Sequence, residues 1–169
     1  MDATWKTSLW KQFGASIDML ENAMHACPDD LWRDRSQRHE FWYMTYHTLF
    51  WLDYYLSAPA GSYAPPAPFT LDEMDPAGLM PDRPYEKSEL QAFLDLGRAK
   101  VRSAIETMTE ERAGQPCGVL QRDMSALELM LYNLRHVQHH AAQLNLILRQ
   151  QVDDAPRWVG RTAGDLGGG

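Results

Sequence analysis

Apolar residues return every three or four positions in four separate stretches of the chain, and each such stretch marks one face of a helix. From residue 3 to 26 the stripe is Trp5, Leu9, Phe13, Ile17, Leu20 and Met24, with Lys6, Lys11, Asp18 and Glu21 between its members. Pro28-Asp29-Asp30 ends it. A second pattern, from Arg38 to Leu56, puts Tyr43, His47, Phe50, Trp51 and Tyr54 on one face. A third, from Glu86 to Met108, follows Pro84 and carries Leu90, Phe93, Leu94, Val101, Ile105 and Met108. The fourth runs from Ser125 to Gln151 and is the longest. Ser125 is its predicted N-cap, with Glu128 three positions on to complete a capping box.

The segments between these stretches are of two kinds. Residues 57–84 hold seven of the ten prolines, which excludes a continuous helix and predicts a long irregular crossover. Thr109 to Asp123, with Gly114, Pro116 and Gly118, reads as a loop. Strand signals are absent, because β-branched residues are sparse and nowhere alternate with polar ones. The predicted fold class is therefore all-α: a four-helix bundle over residues 1–152 with a long crossover between its second and third helices, followed by a mobile tail over 153–169. A crossover of that length spans the height of a bundle, so the two helices it joins are free to be parallel.

Composition narrows the class of partner. The 169 residues carry a formal charge of −7, with 16 Lys and Arg against 23 Asp and Glu, which argues against binding to nucleic acid or to an anionic membrane. The stretch from residue 126 onward is charge-balanced and has no basic run. Cys27 and Cys117 lie far apart without a CxxC spacing, so a disulfide scaffold is not expected and a reducing cytoplasm is the default compartment. The first twenty residues form neither a charged n-region nor a continuous apolar h-region, and no apolar run approaches the ~20 residues of a membrane span.

The histidines carry the chemistry. Three of the six fall within five residues of the last helix. His136 and His140 stand one turn apart and project from the same side, whereas His139 points about 60° away from the first and about 100° from the second. His139 is therefore left out of the site. His47, on the second helix among Tyr43, Phe50 and Trp51, is expected to point inward. Three neutral imidazoles from two packed helices suit a borderline divalent metal and leave positions open, as catalytic sites do. The competing readings are ordinary: HxxxH is common on helix surfaces, and a lone core histidine is usually satisfied by a hydrogen bond. His25 and His39 lie near helix ends, and the two cysteines read as small buried or loop residues.

The segment HVQHHAAQL at 136–144 resembles the H-x-x-H-H-x-G-Q-L segment on the last helix of the DinB-like superfamily, which includes YfiT-like proteins, bacillithiol transferases and mycothiol-dependent maleylpyruvate isomerases. An earlier histidine followed by an aromatic and acidic stretch, here HTLFWLD from His47 to Asp53, completes the likeness over roughly residues 3–151. The resemblance implies that His47, His136 and His140 are ligands of a divalent metal, Zn or Ni, and that the chain forms a homodimer. Ala141-Ala142 stand where the family often has Arg-Gly, so no role passes to an arginine there.

A metal bound by three neutral ligands keeps its full charge and lowers the pKa of a coordinated thiol or water. Two enzymatic readings follow for a small-molecule substrate. One is activation of a low-molecular-weight thiol for transfer or isomerisation; the other is hydrolysis by metal-bound water. A non-catalytic metal- or ligand-binding bundle and a purely structural histidine-rich dimer are the readings outside enzymology. Carboxylate bases are poorly placed: Glu40 is two turns from His47, about 10 Å along the axis, and Asp53 faces elsewhere. Tyr43, four before His47, and Asn133, three before His136, are the candidate catalytic residues, as donors to a substrate or ligand. The lack of a carboxylate base favours thiol activation.

Overall fold

A computed structural model describes residues 3–36, 40–57, 63–119 and 123–167. Four long helices carry the fold: α1 (Ala3–Ala26), α3 (Phe41–Tyr55), α4 (Lys87–Thr107) and α6 (Ala126–Val152). Two short ones, α2 (Asp29–Trp32) and α5 (Glu110–Gly114), turn the chain between them. The expected loop after Met108 thus begins with a helical turn, because the Thr109 hydroxyl accepts from the Arg112 N–H at 3.1 Å and caps it. Among the described residues the one bridge of β type joins Pro116 to Ser125, so the chain is all-helical.

The first and third of the stripes read from the sequence are buried almost throughout. Leu9, Phe13, Ile17, Leu20 and Met24 of α1 are buried, as are Leu90, Phe93, Leu94, Val101 and Ile105 of α4, each side chain contributing about 1.5–3 kcal/mol by leaving water. Ser125 caps α6 by accepting from the Glu128 N–H at 3.1 Å. A reciprocal capping box also stands at α4, between Glu86 and Glu89. α3 differs from the rest: eleven of its fifteen residues are buried, which makes it the most enclosed helix of the bundle. Its less buried positions are Tyr43, Met44, His47 and Trp51, a single stripe.

Partner residues give the directions of the helices. Gln91 meets His25, Arg98 bridges Asp18 and Glu21, and Lys6 reaches the Glu106 carbonyl, so α1 and α4 are antiparallel. Trp42 packs on Tyr85 just before α4, and Asp53 pairs with Lys100, so α3 and α4 are parallel. Leu52 and Gly97 stand at the closest approach of that pair, where a Cβ on Gly97 would lie 2.6 Å from Leu52 Cδ2. Tyr55 meets Tyr132 while His47 meets His140, so α3 and α6 are antiparallel. The order is up, down, down, up, and the crossover makes it possible by returning the chain along the bundle.

Aromatic packing holds the crossover down. Phe69 stacks on Phe93 at 4.5 Å and on Tyr46 at 5.7 Å, Tyr85 lies 4.9 Å from Tyr46, and the Tyr85 carbonyl accepts from Trp32 Nε1. A 3-10 turn, Asp72–Met74, follows Phe69.

Part of the segment beyond Val152 lies against α1. The Thr162 N–H donates to the Lys11 carbonyl at 3.0 Å, Trp10 Nε1 donates to the Gly164 carbonyl at 2.9 Å, and Lys11 pairs with Asp165. Gly14 makes this docking possible: a Cβ there would lie 2.5 Å from Thr162 Cγ2. No helix among the described residues is long and apolar enough to cross a membrane.

Candidate metal centre

Antiparallel packing of α3 against α6 sets His47 beside the helical turn that carries His136 and His140. Its ring centroid lies 5.4 Å from that of His136 and 4.8 Å from that of His140. Ring nitrogens of the three residues, one from each, all lie within 4.8 Å of one another. His47 Nε2 is 3.4 Å from His136 Nε2. His47 occupies the less buried stripe of α3 and faces the mouth of a pocket; the expected inward orientation is corrected to that extent.

The remaining nitrogens show which lone pairs face the cluster. His47 Nδ1 is 2.5 Å from Glu73 Oε1, and His140 Nδ1 is 2.7 Å from Gln143 Oε1. A carboxylate and an amide oxygen only accept, so both Nδ1 atoms carry a proton, and Nε2 is the nitrogen of each ring left to face the cluster. His136 Nδ1 is buried without a hydrogen-bond partner. Burial, with the neighbouring His140 and His47, pushes the His136 imidazole down to about 3; burial and His47 push His140 down to about 4. These two rings are neutral at neutral pH.

This donor set fits a borderline divalent cation. Zn–N bonds of about 2.0–2.1 Å in tetrahedral arrangement separate two nitrogens by about 3.4 Å. The His47–His136 pair already stands at that spacing. Imidazoles on α3 and α6, two with their second nitrogen hydrogen-bonded, are also the usual form of a metal-ligating histidine.

Glu73 is the residue that sequence reasoning missed. Its side chain is 5% exposed, although it belongs to the crossover. It accepts from His47 Nδ1 and from Trp51 Nε1 (3.0 Å) through Oε1, and from the Tyr43 hydroxyl (2.9 Å) through Oε2. Burial alone would raise its carboxyl, but the hydrogen bond and charge of His47, joined by Tyr43 and Trp51, hold it below the ordinary carboxylate value. Burial and then the Glu73 charge push the Tyr43 hydroxyl well above its ordinary value. Gln143 was also missed as an orienting residue; its position three after His140 was the available signal. Glu73 gave none, because a proline-rich segment has no periodicity from which to read a face.

A pocket of about 330 Å³ opens on the cluster, walled by Tyr43, Met44, Met80 and Gln143, with Glu40 at its edge and His47 and His140 in its lining. Of the two candidate catalytic residues, Tyr43 reaches this pocket, with its hydroxyl given to Glu73. Asn133 does not. It is fully buried, and its Nδ2 donates to the Leu52 carbonyl at 3.0 Å, one of the carbonyls left over at the C-terminal end of α3. Glu40 accepts from Trp42 Nε1 at 2.5 Å and lies 3.4 Å from Arg35 Nε, and Asp53 is paired with Lys100. His139 is exposed and outside the cluster, as expected. His25 bonds Gln91, and His39 lies outside the described residues. Both cysteines are buried, and burial pushes the Cys27 thiol up to about 12.

No curated protein and no solved structure matches the chain. A family model, that of the DinB superfamily, matches residues 12–144. That span begins within α1, contains α3, the crossover and α4, and ends in α6 four residues beyond His140. The match thus covers most of the bundle and the positions of all three histidines, and the chain is a member of the DinB superfamily.

Proposed function

We propose that the chain is a metal-dependent enzyme in which His47, His136 and His140 hold one Zn or Ni ion and a low-molecular-weight thiol is activated for transfer to, or isomerisation of, an electrophilic small molecule. A divalent metal in such a site lowers the pKa of a thiol that reaches it, so that the thiolate is the nucleophile at neutral pH. The protein's own residues bind and orient. Glu73 and Gln143 fix the rings of His47 and His140 by accepting from their Nδ1–H groups. Met44 and Met80 line the pocket with apolar, polarizable surface suited to a sulfur-bearing ligand.

The observation that carries the choice of thiol over water is the state of the carboxylates. Glu73 already accepts three hydrogen bonds, and Glu40 is engaged by Trp42 and Arg35. Neither is placed to take a proton from an attacking water. A thiol starts with the lower pKa of the two, so with no carboxylate free to take the proton it is the species that ionises more readily at such a site.

The test is a panel of low-molecular-weight thiols with an electrophilic acceptor, assayed with tag-free protein loaded with Zn or Ni. Thiol consumption that requires the metal and is lost in His47→Ala supports the reading. Turnover of ester or amide substrates without any thiol points to hydrolysis, and no turnover with either class points to sequestration of a ligand. We also assign a homodimer, for which the exposed Leu131 and Leu146 on the outer side of α6 are available contacts; analytical ultracentrifugation finding monomer alone would remove that assignment.

A further inference from the structure

Resting on the three-histidine metal site proposed above, we infer that Glu73 is a positioning residue through which the crossover sets how tightly that site holds its metal. The observation is the burial of one carboxylate in an exposed turn. Leu71 and Met74, close to it in the chain, are exposed as whole residues, whereas the side chain of Glu73 itself is 5% exposed. This inverts the ordinary preference, in which the glutamate takes the solvent and the apolar neighbours take the interior. The inversion has a specific cause. Tyr43, His47 and Trp51 stand at four-residue steps along α3, and all three donate to Glu73.

The central donor is the one that matters for a metal. An acceptor on Nδ1 fixes the tautomer and rotation of the His47 ring, and a charged acceptor also raises the basicity of Nε2. A cation drawing on Nε2 in turn makes the Nδ1–H a stronger donor, which tightens the bond to Glu73. By linkage, the docked crossover favours the bound metal as much as the bound metal favours the docked crossover. His140 has no such connection, since its acceptor Gln143 is uncharged and lies on the same helix. Glu73 is thus the contact between the crossover and the ligand set, and Met80 on the same segment closes one wall of the pocket.

The experiment measures Zn affinity by competition with a chelating dye, the His47 tautomer by long-range proton–nitrogen NMR of the metal-free protein, and amide exchange over residues 70–76 with and without Zn. In the wild type, His47 is expected as the Nδ1–H tautomer, and Zn slows exchange over 70–76. Glu73→Ala should weaken Zn binding about 10–100-fold. It should also redistribute the His47 tautomer and abolish the Zn-dependent protection. Glu73→Gln keeps a neutral acceptor of the same size, and should keep the tautomer while losing part of the affinity; it carries the test if Glu73→Ala does not fold. Trp51→Phe removes a donor to the same carboxylate while keeping an aromatic ring beside His47 and leaving the His47–Glu73 bond in place, and should cost less affinity than either. Equal Zn affinity in wild type and both Glu73 variants, with an unchanged tautomer, overturns the inference and leaves the metal site standing. Failure of the wild type to bind Zn or Ni at all overturns the metal site itself, and the inference with it.

Discussion

Asn133 and Glu73 exchange the roles that their sequence positions suggest. Asn133 lies on the metal-facing side of α6 by periodicity, but periodicity gives direction around a helix and says nothing of depth. At its depth its Nδ2 finds the Leu52 carbonyl, in the last turn of α3, where the Leu56 N–H turns to Asp53. Asn133→Ala should therefore destabilise the protein by about 1–3 kcal/mol in urea unfolding, from the unpaired carbonyl it leaves. Metal affinity should stay within twofold of wild type, which a substrate-binding or ligand-orienting Asn133 would not allow. Cys27 makes a second residue-scale prediction. Its buried thiol, pushed up to about 12, has almost no thiolate at pH 8, so alkylation by iodoacetamide should be far slower than in the urea-unfolded chain.

At the scale of elements, the crossover and the C-terminal segment are the parts whose contacts decide more than their sequence pattern suggests. Phe69 is buried between Tyr46 and Phe93, and Phe69→Ala should cost about 3–5 kcal/mol in chemical denaturation. Gly14→Ala places a methyl where Thr162 now sits. Amide exchange across residues 160–165 should rise in that variant, while the gain of about 1 kcal/mol in helix propensity limits the change in overall stability. α1 and α4 were legible because each buries a continuous stripe: Leu9 to Met24 and Leu90 to Ile105 fall where the spacing places them, whereas on α3 Phe50 and Tyr54 are buried but Tyr43, His47 and Trp51 are less so. The parallel pairing of α3 and α4 was legible only as a freedom allowed by the crossover's length. The histidine ligand set was legible because His136 and His140 share a helical face. Glu73 was not, since a residue on an irregular segment reaches its partner through the fold and not through a repeat. The docking of Thr162 was hidden for the same reason, and the extent of burial around α3 turned its polar stripe into a pocket wall instead of a core face.

For the whole molecule, the cluster of neutral imidazoles is a stability element as well as a binding site. Burial holds His136 and His140 down to about 3 and about 4, while in the unfolded chain each protonates near the ordinary 6.5. The unfolded state therefore binds more protons between those limits, and stability rises with pH across that window. The metal-free protein should keep this contribution above about pH 6.5 and lose it progressively as pH falls towards 4, which urea titrations at a series of pH values will show. His136→Phe and His140→Phe should flatten that slope. Bound metal should act in the same direction by mass action, adding about 2.7 kcal/mol at a free concentration one hundred times Kd. The central claim, that three histidines of this bundle form one metal site, is tested most directly by metal stoichiometry and affinity in titration calorimetry of tag-free protein. One Zn or Ni per chain is expected, lost in each of His47→Ala, His136→Ala and His140→Ala and retained in His139→Ala. No stoichiometric binding by the wild type, or binding unchanged in the three ligand variants, would contradict it.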